Sequence, residues 1–386
     1  MDNKRLFTTK FFNVTTVFAL FLLFISVNVK ATVMQDTLVK AETDTAKAAE
    51  HGEKELDISD VILHHIADSH EWHFWGEGAD KKAIPLPVIL FTKGGVATFL
   101  ANKHEADEEG KEIFTEKGTE LINYEGKYYY PGPKNADGTY FTLDENKIPV
   151  NDKPLDMSIT KNVLALFISV ALLLIIFGTV AKGYRKRVGK APKGLQAVLE
   201  PFIIFVRDDI ARPQLGHKYK KFLPYLLTLF FFVWINNLLG LIPIFPGGAN
   251  LTGNIAVTLM LALGTFILTT VNANTSYWKH VFNTPGVPWW LKLPIPLMPV
   301  VEFIGVLARP IALMIRLFAN ITAGHILILA LLSLIVILKA VTVSFFSIPF
   351  VIFISLIELL VGFLQAFIFT ILSALFIGLA VQDDHH

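Results

Sequence analysis

The chain has 386 residues, 53% of them hydrophobic and 17% charged, with a mean hydropathy of +0.52. That is too apolar and too charge-poor for a soluble enzyme of this length, and it indicates an integral membrane protein. A formal net charge of +1 gives no footing to nucleic-acid binding, and the absence of cysteine excludes disulfides, thiolate metal sites and cysteine nucleophiles.

The charges are segregated along the chain: the stretch 32–158 holds most of the acids, and Lys182 to Lys221 hold a dense basic cluster. Residues 1–31 read as a secretory signal peptide. Lys4, Arg5 and Lys10 precede an apolar run from Val17 to Val29, and Val29-Lys30-Ala31 places a small residue at the cut. The alternative is an uncleaved anchor, but the run is shorter than the about 20 residues a span needs.

Residues 32–158 form an exported, periplasmic region. Its first part, to about Asp57, is too polar to bury and reads as a linker. Further on, "KYYYPGPKNADGTYFTLD" sets two aromatic runs around Pro-Gly-Pro and Asp137-Gly138, a hairpin signal. His64, His65, His70 and His73 cluster near Asp68, but without a recognised ligand spacing. The simpler reading is a surface helix beside the membrane, with Trp72 and Trp75 at the interface.

A membrane domain follows over 159–382. "ITKNVLALFISVALLLIIFGTVA" is long enough to span, and "KGYRKRVGKAPK" after it makes that end cytoplasmic by the positive-inside rule. Next, Leu195, Val198, Leu199, Phe202, Phe205, Val206 and Ile210 recur at helical spacing, predicting an amphipathic helix on the cytoplasmic face. The chain then spans outward over 222–245, turns at "PGGANLTG" and returns over 254–274, leaving Lys279 and Lys292 inside.

The last two apolar stretches are over-long. Residues 299–338 would make a helix of about 60 Å against a hydrocarbon core of about 30 Å, and 349–381 one of about 50 Å. The fold expected is an all-α integral membrane protein with four membrane-embedded helices plus a cytoplasmic-face amphipathic helix. Its last two helices form a long tilted hairpin, and the small exported N-terminal region carries some β structure.

Glu302, Arg309 and Arg316 are seven apart in succession, with Asn320 one turn beyond and Ala312 and Ala323 in the same stripe. Small residues let another helix approach. His325, nine residues after Arg316, looks the other way, and on the last helix Glu358 and Gln365 share a face. The simplest pairing sets His325 against Glu358, a titratable pair of the kind that marks ion paths in membranes. Arg316 then lacks a counter-charge within the chain. A carboxylate from a partner would supply one, and since arginine keeps its proton it can gate negative charge but not relay protons. Internal pairing that merely holds a bundle together is the alternative; for Asn320 and Gln365, interhelical hydrogen bonding is as natural as a place on a path.

At "RLFANITAGH", with "GLQAVLEPF", "NNLLGLIP" and "LQAFIFTILSALFIGLA" in order, the chain resembles the a subunit of the F-type ATP synthase membrane sector. The resemblance covers about 159–381 and implies a non-catalytic proton-channel subunit in a bacterial inner membrane, with its C-terminus cytoplasmic. It implies c-ring and peripheral-stalk b subunits as partners, the lipid bilayer as solvent, and no cofactor or metal. It assigns Arg316 to the essential arginine facing the ring carboxylate, with Asn320 and Gln365 as polar neighbours. It places Glu302 in the cytoplasmic half-channel, and His325 and Glu358 in the outer one. The long exported segment departs from the family pattern. A stand-alone transporter or cation channel is the competing class; it predicts internal repeats, and none is seen. An intramembrane protease lacks a His-Glu-x-x-His sequence and a close aspartate pair within a span.

Overall fold

A computed structural model describes residues 68–75, 82–104, 110–135, 137–143, 149–242, 249–282, 297–338 and 341–382. Residues 1–31 and 32–57, expected as signal peptide and linker, lie outside them, as do His64, His65, Lys292 and the side chain of His73. Two compact units are present, one within Leu63–Phe167 and one comprising Ile168–Pro243 and Asn250–His386.

The first unit is built from short antiparallel strands. β1 (Glu71–Trp75) pairs with β2 (Lys82–Pro85); β3 (Pro87–Thr92) lies between β4 (Gly95–Leu100) and β8 (Leu155–Asp156); β6 (Thr119–Tyr124) lies between β5 (Phe114–Glu116) and β7 (Lys127–Tyr129). The period-2 alternation sends Val88 and Leu90 of β3 inward onto Ala97, Phe99, Leu121 and Tyr128. Two expectations need correction. The histidine-rich stretch enters a strand rather than a surface helix, because it pairs with β2, and Trp72 is buried rather than at an interface. The two-residue hairpins lie elsewhere, at β3–β4, β5–β6 and β6–β7; the turns of the last two place Lys117 and Gly118, and Glu125 and Gly126, at positive φ, the conformation that suits such loops. The expected one at Asp137-Gly138 is an irregular loop, closed by Gly132 N–H donating to the Tyr140 carbonyl at 2.7 Å.

This unit is drawn together at its base. Both ring nitrogens of His70 face acceptors, the Gly126 carbonyl and Asp156 Oδ2, each at 2.9 Å. A neutral imidazole has one N–H, so two acceptors favour the charged form. Burial pulls the His70 pKa down, but the Asp156 hydrogen bond and charge outweigh it and the net direction is up. Burial opposes ionisation of Asp156, yet the bond to His70 carries its pKa below the usual value. Beside them, Asp68 accepts the Asn162 N–H at 3.1 Å. Burial nevertheless raises the Asp68 pKa. Among the described residues, no group of three or more His, Asp or Glu is placed to hold a metal ion.

The second unit is helical. α1 (Lys161–Lys186) runs into it from the first unit and ends on Arg185 and Lys186, as a cationic C-terminus favours. α2 (Leu195–Phe205), a π-helical turn (Val206–Ala211) and α3 (Arg212–Leu215) lead to α4 (Tyr219–Leu241). α5 (Ile255–Val271) bends by 103° into α6 (Thr275–Phe282), and α7 (Leu297–Leu338) and α8 (Val341–Val381) complete the unit. Four helical stretches are long and apolar enough to cross a membrane: Lys161–Lys186, Leu195–Leu241, Val300–Ile335 and Val343–Val381. These match the four membrane-embedded helices expected; α5 has 17 residues, and the bent α5–α6 pair taken as one span would make a fifth.

The over-long stretches are continuous helices of 42 and 41 residues, about 60 Å each at 1.5 Å per residue. α8 begins at Val341, eight residues before Pro349, which the helix accommodates in its interior. α8 packs on α4 and α7, and α7 on α5. Gly362, Ala366, Thr370, Ser373 and Ala374 give α8 a buried flank of small residues that allows close packing. The α2 helix is part of this packing rather than a detached surface helix: Leu199, Ile203, Val206 and Ile210 are buried with the core of α4, while Val198 is exposed and Gln196 buried.

Candidate functional site

α7 and α8 run antiparallel. His325 of α7 meets Glu358 of α8, whereas Arg309, earlier in α7, lies over the ring of Phe376, later in α8, at 5.6 Å. The inward face of α7 is apolar, with Leu313, Leu317 and Ile321 buried at helical spacing. The opposite face is exposed and mostly small: Ala308, Ala312, Ala319 and Ala323 surround Arg316 and Asn320. Among the described residues, no carboxylate or other hydrogen-bond partner meets Arg316. A guanidinium near the middle of an apolar helix costs about 2.5–3.5 kcal/mol against lipid, and none of the described residues offsets that cost.

Half a turn round the helix the arrangement is different. His325 Nδ1 lies 2.9 Å from Glu358 Oε1, with side-chain exposures of 17% and 5%, so the pair is largely withdrawn from the surface. Glu358 Oε2 is buried and has no protein partner. Gly324 makes the approach possible: a Cβ there would fall 2.8 Å from Glu358 Oε1. The pair is therefore a contact between the two helices that leaves one carboxylate oxygen available for a proton or a water.

Glu302 and Arg309 face each other at 3.7 Å, both about a quarter exposed. Arg309 also borders a shallow crevice that Thr265, Thr269, Tyr277 and Phe376 help to line. Gln365 is buried, and no hydrogen bond joins it to Arg316. Of the six residues singled out in the sequence, then, His325 and Glu358 are brought together, Arg316 and Asn320 share an exposed face, and Glu302 engages Arg309 instead of standing free. Sequence reasoning passed over Asn237, whose amide is buried against α8. The doubled asparagine inside the apolar "NNLLGLIP" was the available signal. It also passed over Lys218, whose Nζ donates to the Val381 carbonyl at the end of α8 at 2.6 Å.

With this geometry in hand, a family model described as ATP synthase A chain matches residues 163–378, more than half of the chain. The chain belongs to the ATP synthase A chain family. A second model, a domain of unknown function (DUF8433), matches residues 61–157, the stretch that holds the strands. The chain is 47% identical over 239 residues to "ATP synthase subunit a 2" of Chlorobaculum tepidum, covering 60% of this chain and 66% of that protein. It is 43% identical over 238 residues to "ATP synthase subunit a" of Chloroherpeton thalassium, covering 60% and 69%. Against "ATP synthase subunit a" of Myxococcus xanthus it is 40% identical over 268 residues, covering 67% and 85%. Family membership and the four long apolar helices together make this a multi-pass membrane protein, and the α7–α8 pair lies within the matched residues.

Proposed function

We propose that the chain is the stator subunit of a bacterial F-type ATP synthase membrane sector, set against a ring of c subunits and held by peripheral-stalk b subunits. It lies in the inner membrane with the strand-rich region periplasmic and the C-terminus cytoplasmic. The unpaired, exposed Arg316 at the centre of a small-residue face carries this reading. A ring helix bearing a carboxylate fits that face in size and in charge.

Protons enter from the periplasm along an outer half-channel in which Glu358 and His325 exchange them. They neutralise a ring carboxylate, travel with the ring, and leave by a cytoplasmic half-channel containing Glu302. Arg316 stays charged throughout and bars a direct route, because its fixed positive charge favours an ionised ring carboxylate beside it and repels a passing proton. Asn320 and Gln365 are polar neighbours of that gate. The transmembrane potential supplies about 2.3 kcal/mol per charge per 100 mV, which the ring converts to rotation. The chain performs no chemistry on ATP and binds no cofactor or metal in this role.

The test is Arg316→Ala in the complex reconstituted into vesicles. Proton-driven ATP synthesis is expected to vanish, and unimpaired coupled synthesis would overturn the gate assignment. A stand-alone transporter would instead move ions when this chain is reconstituted without a ring.

A further inference from the structure

α4 contains two adjacent asparagines, both buried, with opposite tasks. Asn236 Nδ2 donates to the Phe232 carbonyl of its own helix at 2.7 Å, a local bond. Asn237 Nδ2 reaches across to the Gly362 carbonyl of α8 at 2.9 Å, and its Oδ1 accepts from the Thr252 hydroxyl at 2.6 Å. A carbonyl can only accept, so the NH2 side must face Gly362 and the oxygen must face Thr252. The amide is thus held in one orientation by partners on two other segments.

Gly362 is placed where this bond matters. Glu358, Gly362 and Gln365 stand at i, i+4 and i+7 and share one face of α8. A Cβ at position 362 would come within 3.1 Å of Asn237 Cβ, so the absence of a side chain there permits the contact. One turn earlier, Glu358 is wedged against Gly324 of α7 while bonded to His325. α8 is therefore tied to α4 by an amide and to α7 by an acid, one helical turn apart.

We infer that Asn237, oriented by Thr252, is a positioning residue that fixes the axial height and rotation of α8 so that the Glu358 carboxylate meets His325. Asn237 touches neither the proton nor the ring. It acts through the Gly362 carbonyl; without its N–H the remaining polar ties on α8, from Thr265 to Ser373 and from Lys218 to Val381, lie well beyond the level of Glu358, so a local shift of that level goes unopposed by them. A displacement on the ångström scale at a proton-transferring pair is enough to cost a large factor in rate.

This inference rests on Glu358 belonging to the proton path, and the experiment separates the two. ATP-driven proton pumping by the whole complex in inverted vesicles is measured against pH for Asn237→Leu, Asn237→Gln, Thr252→Val and Glu358→Gln, with complex assembly quantified for each. Asn237→Leu is expected to pump about tenfold more slowly. Its pH profile is expected to move by about half a unit or more, since the surroundings of a titrating carboxylate have changed. Asn237→Gln, which keeps a donor, recovers part of the rate, and Thr252→Val shows the same change in smaller measure. An unaltered rate and profile in Asn237→Leu, or a slower rate with an unmoved profile, overturns the positioning role. If Asn237→Leu fails to assemble, Thr252→Val carries the test with the same two outcomes. Wild-type pumping by Glu358→Gln would instead overturn the placement of Glu358 on the path.

Discussion

Gly324 and Glu358 occupy adjoining space so closely that a single added methyl group at position 324 would stand 2.8 Å from the carboxylate oxygen that bonds His325. Gly324→Ala is therefore expected to push the carboxylate off the imidazole without touching either ionisable group. The overpacking cost, about 1–3 kcal/mol, corresponds to a loss of about five- to 150-fold in proton translocation if borne at the transition state. Glu358→Asp in the same chain withdraws the carboxylate by one methylene and is expected to restore part of the loss. Proton pumping by the two variants checks this, and normal rates in Gly324→Ala would show that the contact is not critical.

Exchanging the partners tests their coupling. The variant carrying both His325→Glu and Glu358→His keeps one acid and one imidazole across the same gap. It is expected to retain more ATP-driven pumping than either single substitution, with a coupling of about 1 kcal/mol or more. Strictly additive losses across the four proteins would count against a shared site.

The His70 clasp gives the strand-rich unit a pH dependence with a definite sign. His70 is raised above its ordinary 6.5, so its contribution is full below that value and is lost as the pH climbs through the raised one. Asp156 is lowered from 3.8, so its contribution is present above that value and is lost only as the pH falls below it. The pair is strongest between those limits. Asp156 is 38% exposed, and solvent screening holds the contribution to about 1 kcal/mol. Amide exchange of β1 and β8, corrected for intrinsic rates, is expected to quicken above about pH 6.5, and His70→Gln is expected to abolish that trend. A pH-independent wild type would remove the linkage.

In the helical unit, Lys218 Nζ and Asn274 Nδ2 both donate to the Val381 carbonyl, at 2.6 and 3.0 Å. A cation at a helix C-terminus satisfies carbonyls that the helix leaves unpaired and opposes its dipole. Lys218→Met is expected to speed amide exchange in the last turn of α8 about fivefold, which is the loss of about 1 kcal/mol. Unchanged protection there would show that Asn274 suffices.

Spacing alone carried the helical half of the molecule a long way. Residues 316, 325, 358 and 365 were assigned to faces by counting turns, and the faces of His325 and Glu358 do meet. Counting could not reveal Asn237 against Gly362, because that bond joins residues 125 apart in sequence and depends on how α4 packs on α8. α8 begins at Val341 rather than near Pro349, because a long apolar helix can carry proline inside. In the strand-rich unit, the Asp137-Gly138 turn signal was genuine, with Gly138 at φ +88°, but a turn says nothing about whether its flanks find strand partners. The hairpins that do pair turn at Lys93-Gly94, Lys117-Gly118 and Glu125-Gly126, between strands of three to six residues that are short for a periodicity argument.

The alanine-lined face around Arg316 also bears on how such a chain must be made. Inserted by itself, it presents a guanidinium to hydrocarbon and carries the associated cost of about 2.5–3.5 kcal/mol until a counter-charge arrives. Orphan copies are thereby chemically distinguishable from incorporated ones at a single position. Under the proposed function, supply in step with the ring becomes a requirement of the sequence itself.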